Sequence, residues 1–497
     1  MEKFYDAVII GSGYGGMLPA YKLALAGQKV LIIERGKIWN RRDYQHSLTL
    51  EYLNQLYDIA TSTTLGELYR GSRVFGGGST TNDKIHQRCP SESFDYRESS
   101  LGNRRAWPGE IDRSAMDPFY KELEQLLGIR QISWDEVSMI GGNFARMFKD
   151  AGMSAEPCNF NLGPNCIQCG YCEAGCGREG TAKITLTSAL LRPALATKNL
   201  EVITEMSAKT IKPLKGGGYR VELISSEGDN FNKKTEKIVF GNKLIVGAGP
   251  IGSVPLFLRS IKNFKKISPA LGKYISNNGD INFVLKTPDH YPDHHGFKSA
   301  TSCGVITYGY WDQYKKTIHP GMIPIQVAAG VNIKRKNGLP WGLDHKHFLR
   351  DNVTHRLIPA NGMGFVPADM SMSIDTGGKA SICNPVSKEQ RDHIWEMHDI
   401  LTETMNEIGG ELLLTGDRFP FDLGGNHILG GARMSDDPRY GVTDPNGQVY
   451  GYKGLYVSDA SSIPAGLAIN PAHTVGANAL RISKHIIESE GGTYEQS

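Results

Sequence analysis

Apolar residues near the start of the chain form two short runs separated by a helical pattern. Residues 7–10 are rich in β-branched side chains, which is typical of a strand buried on both faces of a parallel sheet. Residues 17–25 have helical character, and Gly27 stands where that helix would end. Residues 29–33 form a second apolar run that stops at Glu34. The pattern predicts a strand, a helix and a second, parallel strand.

A glycine-rich turn joins the first strand to the helix, with the sequence Gly11-Ser12-Gly13-Tyr14-Gly15-Gly16. In a G-x-G-x-x-G pattern, Gly11 allows the tight turn, Gly13 lets the backbone approach a pyrophosphate, and Gly16 lets helix and strand pack closely. Free N–H groups of the helix then face the phosphates. Glu34 stands 23 residues after Gly11, where an acid accepts hydrogen bonds from a ribose. These elements in this order predict a dinucleotide site, although the acid does not choose between FAD and NAD.

Length and charge narrow the possible classes of protein. A chain of 497 residues is too long for one ordinary core, so two domains are expected. The 55 basic and 52 acidic residues nearly balance, which gives no electrostatic reason to expect nucleic acid or an anionic membrane as a partner. No apolar run approaches the roughly 20 residues of a membrane span. Because the N-terminus leads straight into a strand, we expect no signal peptide and a cytoplasmic location.

Distinctive stretches recur later in the chain. Residues 76–82 form a second glycine cluster, which taken alone is typical of a flexible surface loop. Residues 426–434 and 470–474 carry Asn-His-Ile-Leu-Gly-Gly-Ala-Arg-Met and Asn-Pro-Ala-His-Thr, and residues 454–461 predict a strand that ends in an acid. Together these stretches resemble the glucose–methanol–choline (GMC) family of flavin oxidoreductases. The resemblance runs from the first glycine turn to the last helix and is thin from about residue 280 to 420.

The resemblance implies a flavin cofactor and assigns roles to individual residues. The glycine turn at the N-terminus would hold the pyrophosphate of FAD. The acid after the late strand, Asp459, would contact the ribityl chain, and the backbone of Val202 would meet the adenine. The second glycine cluster would lie along the flavin through Gly77, Gly78, Ser79 and Asn82.

The resemblance also implies a catalytic pair, His427 and Asn470. In this family the histidine lies in a His-x-x-Gly segment, and its partner precedes a proline, here Pro471. Oxidation of an alcohol removes a hydroxyl proton and a hydride together. Flavin N5 accepts the hydride, while a histidine is a base whose pKa needs little adjustment for the proton. Asn470 can donate to the substrate oxygen. His473 would share the pocket if its turn were helical, but a structural role is the favoured interpretation.

Four cysteines lie within eleven residues, and their function stays open. Cys166, Cys169, Cys172 and Cys176 have the C-x2-C-x2-C-x3-C spacing of a 4Fe–4S ligand set. Gly177 stands where ferredoxins have proline, and no second run supplies another cluster. Some relatives in the long-chain alcohol and steroid branch carry a similar run that need not hold metal and shapes the loop beside the flavin. Disulfides are disfavoured in a reducing cytosol. We keep the metal cluster and the metal-free loop as alternatives.

The expected fold class is α/β, with two parts. A doubly wound, Rossmann-like FAD-binding domain is assembled from residues 1–90, 185–265 and 421–497. Residues 91–184 form a cap or linking region that contains the cysteine run. Residues 266–420 form a substrate domain, in which an antiparallel sheet covers the flavin and helices flank its outer side.

We expect an alcohol dehydrogenase or oxidase acting on a sugar, polyol, cyclitol or aminoglycoside-like hydroxyl. Reduced flavin would pass its electrons to O2 or to an external redox partner. A steroid or long-chain alcohol is the alternative substrate within the same chemistry. A hydroxynitrile-lyase-type member, which keeps FAD without net oxidation, and an electron-transfer module without its own substrate are the alternatives from other classes.

Overall fold

The structure is a computed structural model that describes residues 3–64, 67–227, 230–294, 298–322, 342–353, 355–413, 425 and 427–496. Residues 421–424 and Asn426, which belong to the predicted last FAD segment, lie outside these ranges. Two large β-sheets organise the described chain.

The first sheet has seven strands and is mostly parallel. Its parallel part runs in the order Leu200–Ile203, Val30–Ile33, Phe4–Ile10, Lys237–Val246 and Leu455–Val457. An antiparallel hairpin, Met206–Pro213 and Tyr219–Ser225, pairs with the first half of the long Lys237–Val246 strand. The central strand, Phe4–Ile10, pairs with Val30–Ile33 on one side and with Lys237–Val246 on the other.

Helices cover both faces of this sheet. On the Phe4–Ile10 strand, Ala7 and Ile9 pack into one apolar cluster, while Val8 and Ile10 pack into another on the opposite face. The first cluster contains the helices Tyr14–Leu25, Arg113–Leu127 and Ala472–Glu488, and the second contains Pro250–Arg259. A strand that is apolar on both faces needs such a double layer. The prediction of a doubly wound α/β fold is confirmed.

The second sheet has six strands, and all of its neighbours pair antiparallel. Two amphipathic helices, Met139–Asp150 and Lys388–Ile408, bury their apolar sides against one face of the sheet. The predicted antiparallel sheet with flanking helices is therefore confirmed, although the domain boundaries stay a prediction. One edge strand comes from the stretch expected to link the domains. In order, the strands are Glu411–Leu412, Ile281–Lys286, Leu357–Gly364, Lys316–Pro320, Val305–Thr307 and Ala155–Pro157.

Shorter elements connect the two sheets. The other helices are Leu50–Leu56, Gly78–Thr81, Ser91–Phe94, Arg192–Ala196, Trp311–Tyr314 and Gly342–Phe348. Small two-stranded pairs are Tyr57–Thr61 with Leu68–Ser72, Arg97–Glu98 with Arg104–Arg105, Arg130–Gln131 with Asn159–Phe160, Ile275–Ser276 with Leu429–Gly430, and Ser371–Ile374 with Ala380–Cys383. Among the residues that the structure describes, no helix is both long and apolar enough to cross a membrane.

A buried ion pair joins the first helix to its neighbour in the same layer. The ammonium group of Lys22 contacts the carboxylate of Glu122, and the two side chains are 1% and 0% exposed. Tyr494 donates to the same carboxylate at 2.9 Å, and Lys22 donates to the main-chain oxygen of Glu495 at 2.8 Å. The pair therefore also fixes the C-terminal segment against the FAD-binding layer.

Replacing Lys22 by methionine leaves the buried carboxylate of Glu122 without its cationic partner. We expect Lys22→Met to destabilise the protein by about 3–5 kcal/mol, because an uncompensated buried charge is costly. The double variant Lys22→Met/Glu122→Leu should regain most of that loss. Urea denaturation monitored by circular dichroism measures the change. Lys388→Met is the control, because Lys388 and its partner Asp392 are mostly exposed. Exposed ion pairs contribute roughly 0–1 kcal/mol to the free energy of unfolding. A single variant as stable as the double variant would contradict this account.

Candidate active site

A large cavity opens at the carboxyl ends of the parallel strands, where doubly wound folds bind ligands. Ile10, Ile33 and Gly247 line it at or directly after the ends of three strands. Its lining comes from both glycine clusters, from the strand that begins at Met206 and from the start of the last helix. The cavity therefore suits an extended ligand. The predicted site residues that line it are Gly11, Gly13, Tyr14, Gly15, Glu34, Gly77, Gly78, Asn82, His427, Asp459 and Asn470.

The first glycine turn is packed so tightly that side chains are excluded from it. Gly11 has φ +92°, and a Cβ there would lie 2.5 Å from the main-chain oxygen of Gly247. A Cβ on Gly16 would lie 1.9 Å from the oxygen of Gly11, and one on Gly15 would lie 2.5 Å from the Cβ of Asp459. A Cβ on Gly13 would have ordinary space. Three of the four glycines thus serve packing within the protein, while Gly13 keeps the backbone open toward the cavity.

Three helices of ten or more residues in the described chain begin at the cavity, and none has an acidic residue in its first turn. They are Tyr14–Leu25, Pro250–Arg259 and Ala472–Glu488, and residues from the first turn of each line the cavity. The glycines before the first two, Gly13 and Gly249, provide no side chain to cap the free N–H groups. Each helix N-terminus carries a partial positive charge. The cavity consequently favours a ligand with anionic groups such as a diphosphate.

Glu34 is buried at the cavity and held by the first glycine turn. Its carboxylate accepts hydrogen bonds from Ser12 N at 3.0 Å, Ser12 Oγ at 2.7 Å and Gly36 N at 2.8 Å. Burial raises the pKa of Glu34, and these donors partly oppose the increase. Ser12 Oγ also accepts from Gly76 N at 2.9 Å. Glu34 and Ser12 thereby connect the two glycine loops, and these hydrogen bonds hold the carboxylate at the wall of the cavity.

Asp459 is likewise a buried acid that organises backbone around it. Its carboxylate accepts from Gly249 N at 2.8 Å, Ser253 Oγ at 2.5 Å and Ser461 N at 2.7 Å. Burial raises the pKa of Asp459, while the hydrogen bonds from Ser253 and Ser461 lower it. Asp459 therefore holds the N-terminus of the Pro250–Arg259 helix beside the late strand, at the wall of the cavity.

The second glycine cluster lies against the first. Gly77 has φ +53°, and a Cβ there would meet the Cα of Gly13 at 2.6 Å. Asn82 donates to the Tyr14 hydroxyl at 3.2 Å. Ser79, by contrast, is fully buried and donates to Gly76 O at 2.7 Å, so it shapes the loop from behind rather than lining the cavity.

Val202 does not line the cavity, so the contact with the adenine that the resemblance implies stays a prediction. It lies in the edge strand Leu200–Ile203, paired with Ile32. The cavity instead reaches the following strand, where Met206, Ser207 and Ala208 line it. In the strand order, Leu200–Ile203 and Met206–Pro213 stand at opposite edges of the sheet, although they follow each other in sequence.

His427 is held between two side chains from distant parts of the chain. Its Nδ1 lies 2.8 Å from Asp280 Oδ1, and its Nε2 lies 3.5 Å from Asn470 Nδ2. Because a carboxylate only accepts hydrogen bonds, Nδ1 carries the proton and Nε2 keeps a lone pair. The Asp280 side chain is 2% exposed and the imidazole 21% exposed. The arrangement presents one basic nitrogen beside the amide of Asn470, which lines the same cavity.

Sequence reasoning missed Asp280. It ends a short polar run, residues 277–280, directly before the strand Ile281–Lys286. A polar run before an apolar strand was the available signal. His319 is buried in the Lys316–Pro320 strand, and burial, with a smaller effect of the His427 charge, lowers its pKa to about 4.

The four clustered cysteines are not arranged as metal ligands. Within the described part of the chain, which includes all four, no group of three or more His, Cys, Asp or Glu residues is placed to hold a metal ion. All eight cysteines are free thiols. Lys84 Nζ lies 3.5 Å from Cys166 Sγ, and Lys183 Nζ donates to Cys172 O at 3.1 Å. Burial would raise the pKa of Cys172, but these two ammonium groups lower it to about 7.

The prediction of a 4Fe–4S cluster is therefore not supported. The ammonium groups of Lys84 and Lys183 lie among the four cysteines. A 4Fe–4S cluster instead needs four thiolates that converge on one centre. The lysine Lys183 also donates to Thr80 O at 2.8 Å and Asn82 O at 2.6 Å. The cysteine loop thus supports the second glycine cluster, as the metal-free alternative proposed.

His473 is buried away from the cavity. Its Nδ1 lies 2.8 Å from His86 O, and burial lowers its pKa to about 4. The neutral ring packs against the ring of Tyr120. These contacts fit the structural role favoured from the sequence.

Comparison with known proteins identifies a family. Two models described as GMC oxidoreductase match residues 53–276 and 420–479, and a model described as FAD binding domain matches residues 6–39. A cholesterol oxidase from Acinetobacter baumannii is 25% identical over 98% of this chain and 96% of its own length. A long-chain-alcohol oxidase from Arabidopsis thaliana is 24% identical over 97% of this chain and 67% of its own length.

Other similar proteins act on small molecules or share the fold. A 2-methyl-1,2-propanediol dehydrogenase from Mycolicibacterium austroafricanum is 23% identical over 97% of this chain and 95% of its own length. Among solved structures, pyridoxine 4-oxidase from Mesorbium loti superimposes with a TM-score of 0.70 at 17% identity, covering 97% of this chain and 98% of that one. At that identity the superposition shows a shared fold.

Two neighbouring glycines should respond differently to alanine. We expect Gly13→Ala to leave the cofactor-free protein as stable as wild type, since the added Cβ lies 3.7 Å from its nearest neighbour, but to weaken FAD binding at least about tenfold. Gly15→Ala should destabilise the cofactor-free protein itself by about 1–3 kcal/mol, because its Cβ overlaps Asp459. Thermal unfolding of the apoprotein and FAD titration measure the two effects.

Gly142→Ala is the matched control, because nothing lies within 4 Å of its Cβ position in the helix Met139–Asp150. Undiminished FAD affinity in Gly13→Ala would show that no pyrophosphate approaches this turn.

Proposed function

Since the chain belongs to the GMC oxidoreductase family and is an FAD-dependent oxidoreductase acting on alcohols, we propose that its substrate is a small polar alcohol and that His427 removes the hydroxyl proton. The observation that carries the proposal is the hydrogen bond between His427 Nδ1 and Asp280, at 2.8 Å. This hydrogen bond places the ring proton on Nδ1, so Nε2 has the lone pair that can accept the hydroxyl proton.

The residues at the cavity fit FAD, and each part of the cofactor has a partner. Gly13 and the N-terminus of the Tyr14–Leu25 helix would hold the pyrophosphate. Glu34 would accept from the adenosine ribose, and Asp459 would meet the ribityl chain. The adenine would lie against Met206, Ser207 and Ala208, which line the cavity where Val202 does not. Gly77, Gly78 and Asn82 would lie along the flavin.

His427 and Asn470 divide the work on the substrate hydroxyl. Bound FAD supplies the acceptor for the hydride, so the alcohol carbon loses two electrons and becomes a carbonyl carbon. His427 Nε2 takes the hydroxyl proton, and the resulting imidazolium is stabilised by the buried carboxylate of Asp280. The amide N–H of Asn470 donates to the substrate oxygen as charge develops there. Asp280 is a positioning residue, because it acts on the substrate through His427.

A polar substrate is favoured by the side chains near His427. Asn470 lies beside His427 and carries a buried amide oxygen without a hydrogen-bond partner among the described residues, and Asn82 lines the same cavity. An apolar alcohol would leave such atoms unsatisfied. A sugar, cyclitol or aminoglycoside-like hydroxyl would not. The named activities of similar proteins include cholesterol oxidase and long-chain-alcohol oxidase, so a steroid or long-chain alcohol is the second candidate.

The class of substrate can be read from the colour of the flavin. Mixed anaerobically with the holoenzyme, inositol, a hexose or an aminoglycoside should bleach the visible flavin band faster than cholesterol or dodecanol. If O2 is the electron acceptor, readmitted air restores the flavin colour and forms hydrogen peroxide. If the acceptor is an external redox partner, an artificial electron-accepting dye is needed to reoxidise the flavin. Preferred bleaching by cholesterol or dodecanol would reverse the substrate assignment. Cleavage of mandelonitrile without bleaching would identify a lyase.

His427→Ala should slow anaerobic flavin reduction by about 10²- to 10⁴-fold, the usual contribution of a general base. Asp280→Asn should slow it by at least about 10²-fold, because an amide that donates to Nδ1 moves the ring proton to Nε2 and removes the lone pair. Stopped-flow absorbance measures both rates at saturating alcohol. The matched controls are His290→Ala and Asp289→Asn, two exposed neighbours in the same domain. If Asp280→Asn reduces the flavin at the wild-type rate with full FAD content, the proposed tautomer is wrong.

A further inference from the structure

His86 is fully buried beside Tyr14, a residue that lines the cavity. Its Nε2 lies 2.7 Å from the Tyr14 hydroxyl, and its Nδ1 lies 2.9 Å from Lys84 O. Because a carbonyl oxygen only accepts hydrogen bonds, Nδ1 carries the ring proton. Burial, with a smaller effect of the His473 charge, lowers the pKa of His86 to about 3, so the ring is neutral. Nε2 therefore keeps its lone pair and accepts the proton of the Tyr14 hydroxyl.

The Tyr14 hydroxyl consequently meets Asn82 as an acceptor. A hydroxyl has one proton, and the proton of Tyr14 is donated to His86. Burial raises the pKa of Tyr14, so the hydroxyl keeps that proton. Asn82 Nδ2 donates to the oxygen of the same hydroxyl at 3.2 Å. The neutral histidine thus decides the direction of both hydrogen bonds.

The other end of the Asn82 amide is held by the backbone. Asn82 Oδ1 accepts a hydrogen bond from Lys84 N at 3.2 Å. A reversed amide would bring its NH2 group against the N–H of Lys84, and its oxygen against a hydroxyl whose proton is donated elsewhere. Both hydrogen bonds would then be lost. The amide of Asn82 therefore has one orientation, with its nitrogen toward Tyr14.

The main chain of Asn82 is fixed as well. Lys183 Nζ donates to Asn82 O at 2.6 Å and to Thr80 O at 2.8 Å, and Asn82 N donates to Gly78 O at 2.7 Å. An amide nitrogen has two protons, and the second proton of Asn82 Nδ2 has no acceptor among the described residues. Since Asn82 lines the cavity, this N–H is available to a ligand there.

We propose that His86 is a positioning residue for the flavin: through the Tyr14 hydroxyl it orients Asn82 so that the amide N–H, and not the amide oxygen, is presented to the flavin ring. The proposal rests on the proposed function, because the place of Asn82 along the flavin is part of it.

The orientation of this amide affects the reduction potential of bound FAD. A ring that accepts a hydride gains one negative charge, and a hydrogen bond to a charged acceptor is stronger than one to a neutral acceptor. An N–H group at the ring therefore favours reduced FAD over oxidised FAD, whereas an amide oxygen there does the opposite. His86 raises the potential without touching the cofactor.

Reduction potentials test the proposal without any alcohol. The holoenzyme is reduced slowly by xanthine and xanthine oxidase beside a reference dye, and the absorbances of flavin and dye give the midpoint potential. His86→Leu removes the acceptor of the Tyr14 proton and so releases the Asn82 amide. Binding of reduced FAD should weaken about tenfold more than binding of oxidised FAD, which lowers the two-electron midpoint potential by about 30 mV.

Two further variants and a control locate the effect. Tyr14→Phe breaks the same link without changing the histidine and should lower the potential to the same extent. His86→Gln, which can accept from Tyr14 and donate to Lys84 O, should restore most of the wild-type potential. Tyr120→Phe is the matched control, because it removes a buried hydroxyl of the same apolar cluster that lies 2.8 Å from Thr474 Oγ1. It should leave the potential unchanged.

A double-variant cycle shows whether His86 acts through Asn82. Asn82→Leu removes the amide and should lower the potential at least as far as His86→Leu. The double variant Asn82→Leu/His86→Leu should have the same potential as Asn82→Leu alone. FAD content and the thermal midpoint identify a variant that has not folded, and Tyr14→Phe then takes the place of His86→Leu in the cycle.

Three outcomes would overturn the proposal. They are an unchanged potential in the folded variants of His86 and Tyr14, an equal shift in Tyr120→Phe, and additive shifts in the double variant. Because xanthine oxidase supplies the electrons, none of these results depends on the oxidation of an alcohol. A holoenzyme that no alcohol reduces contradicts the proposed function, while the potentials decide the role of His86 separately.

Discussion

Close contact between backbones at the carboxyl ends of the parallel strands is the constraint on which the site depends. Gly15 and Asp459 touch where a methyl group would overlap, and Gly11 rests against Gly247 in the same way. Segments more than 400 residues apart in sequence therefore meet at van der Waals distance. Because each contact needs a residue without a side chain, the cavity has one geometry, and the buried carboxylates of Glu34 and Asp459 fix the surrounding N–H groups.

The proposed catalytic pair depends on both sheets at once. Asp280 precedes the strand Ile281–Lys286 of the antiparallel sheet, whereas Asn470 precedes the last helix of the FAD-binding layer. His427 bridges them, and its proton position follows from the carboxylate on one side. The docking of the two sheets therefore sets the position of the proposed base, His427.

The cysteine loop shows how a sequence motif can serve packing. Its spacing matches a ligand set, yet two buried ammonium groups lie among the thiols, and Lys183 donates to three main-chain oxygens. Those bonds hold the second glycine cluster from behind. A spacing pattern records which residues are close in sequence, but the cations that enter the same space come from other segments.

The sequence by itself determined the parts of the protein that local sterics and short spacing govern. The glycine turn, the acid after the second strand and the first two strands of the doubly wound layer follow from residues 4–34, because those constraints act within a few residues. The flavin follows from the resemblance of the later stretches to GMC proteins. Only the tertiary structure decided that Asp280 contacts His427, that Ala208 rather than Val202 lines the cavity, and that lysines lie among the cysteines. Each of these depends on strand order and sheet docking between distant segments, which a pattern along the chain does not contain.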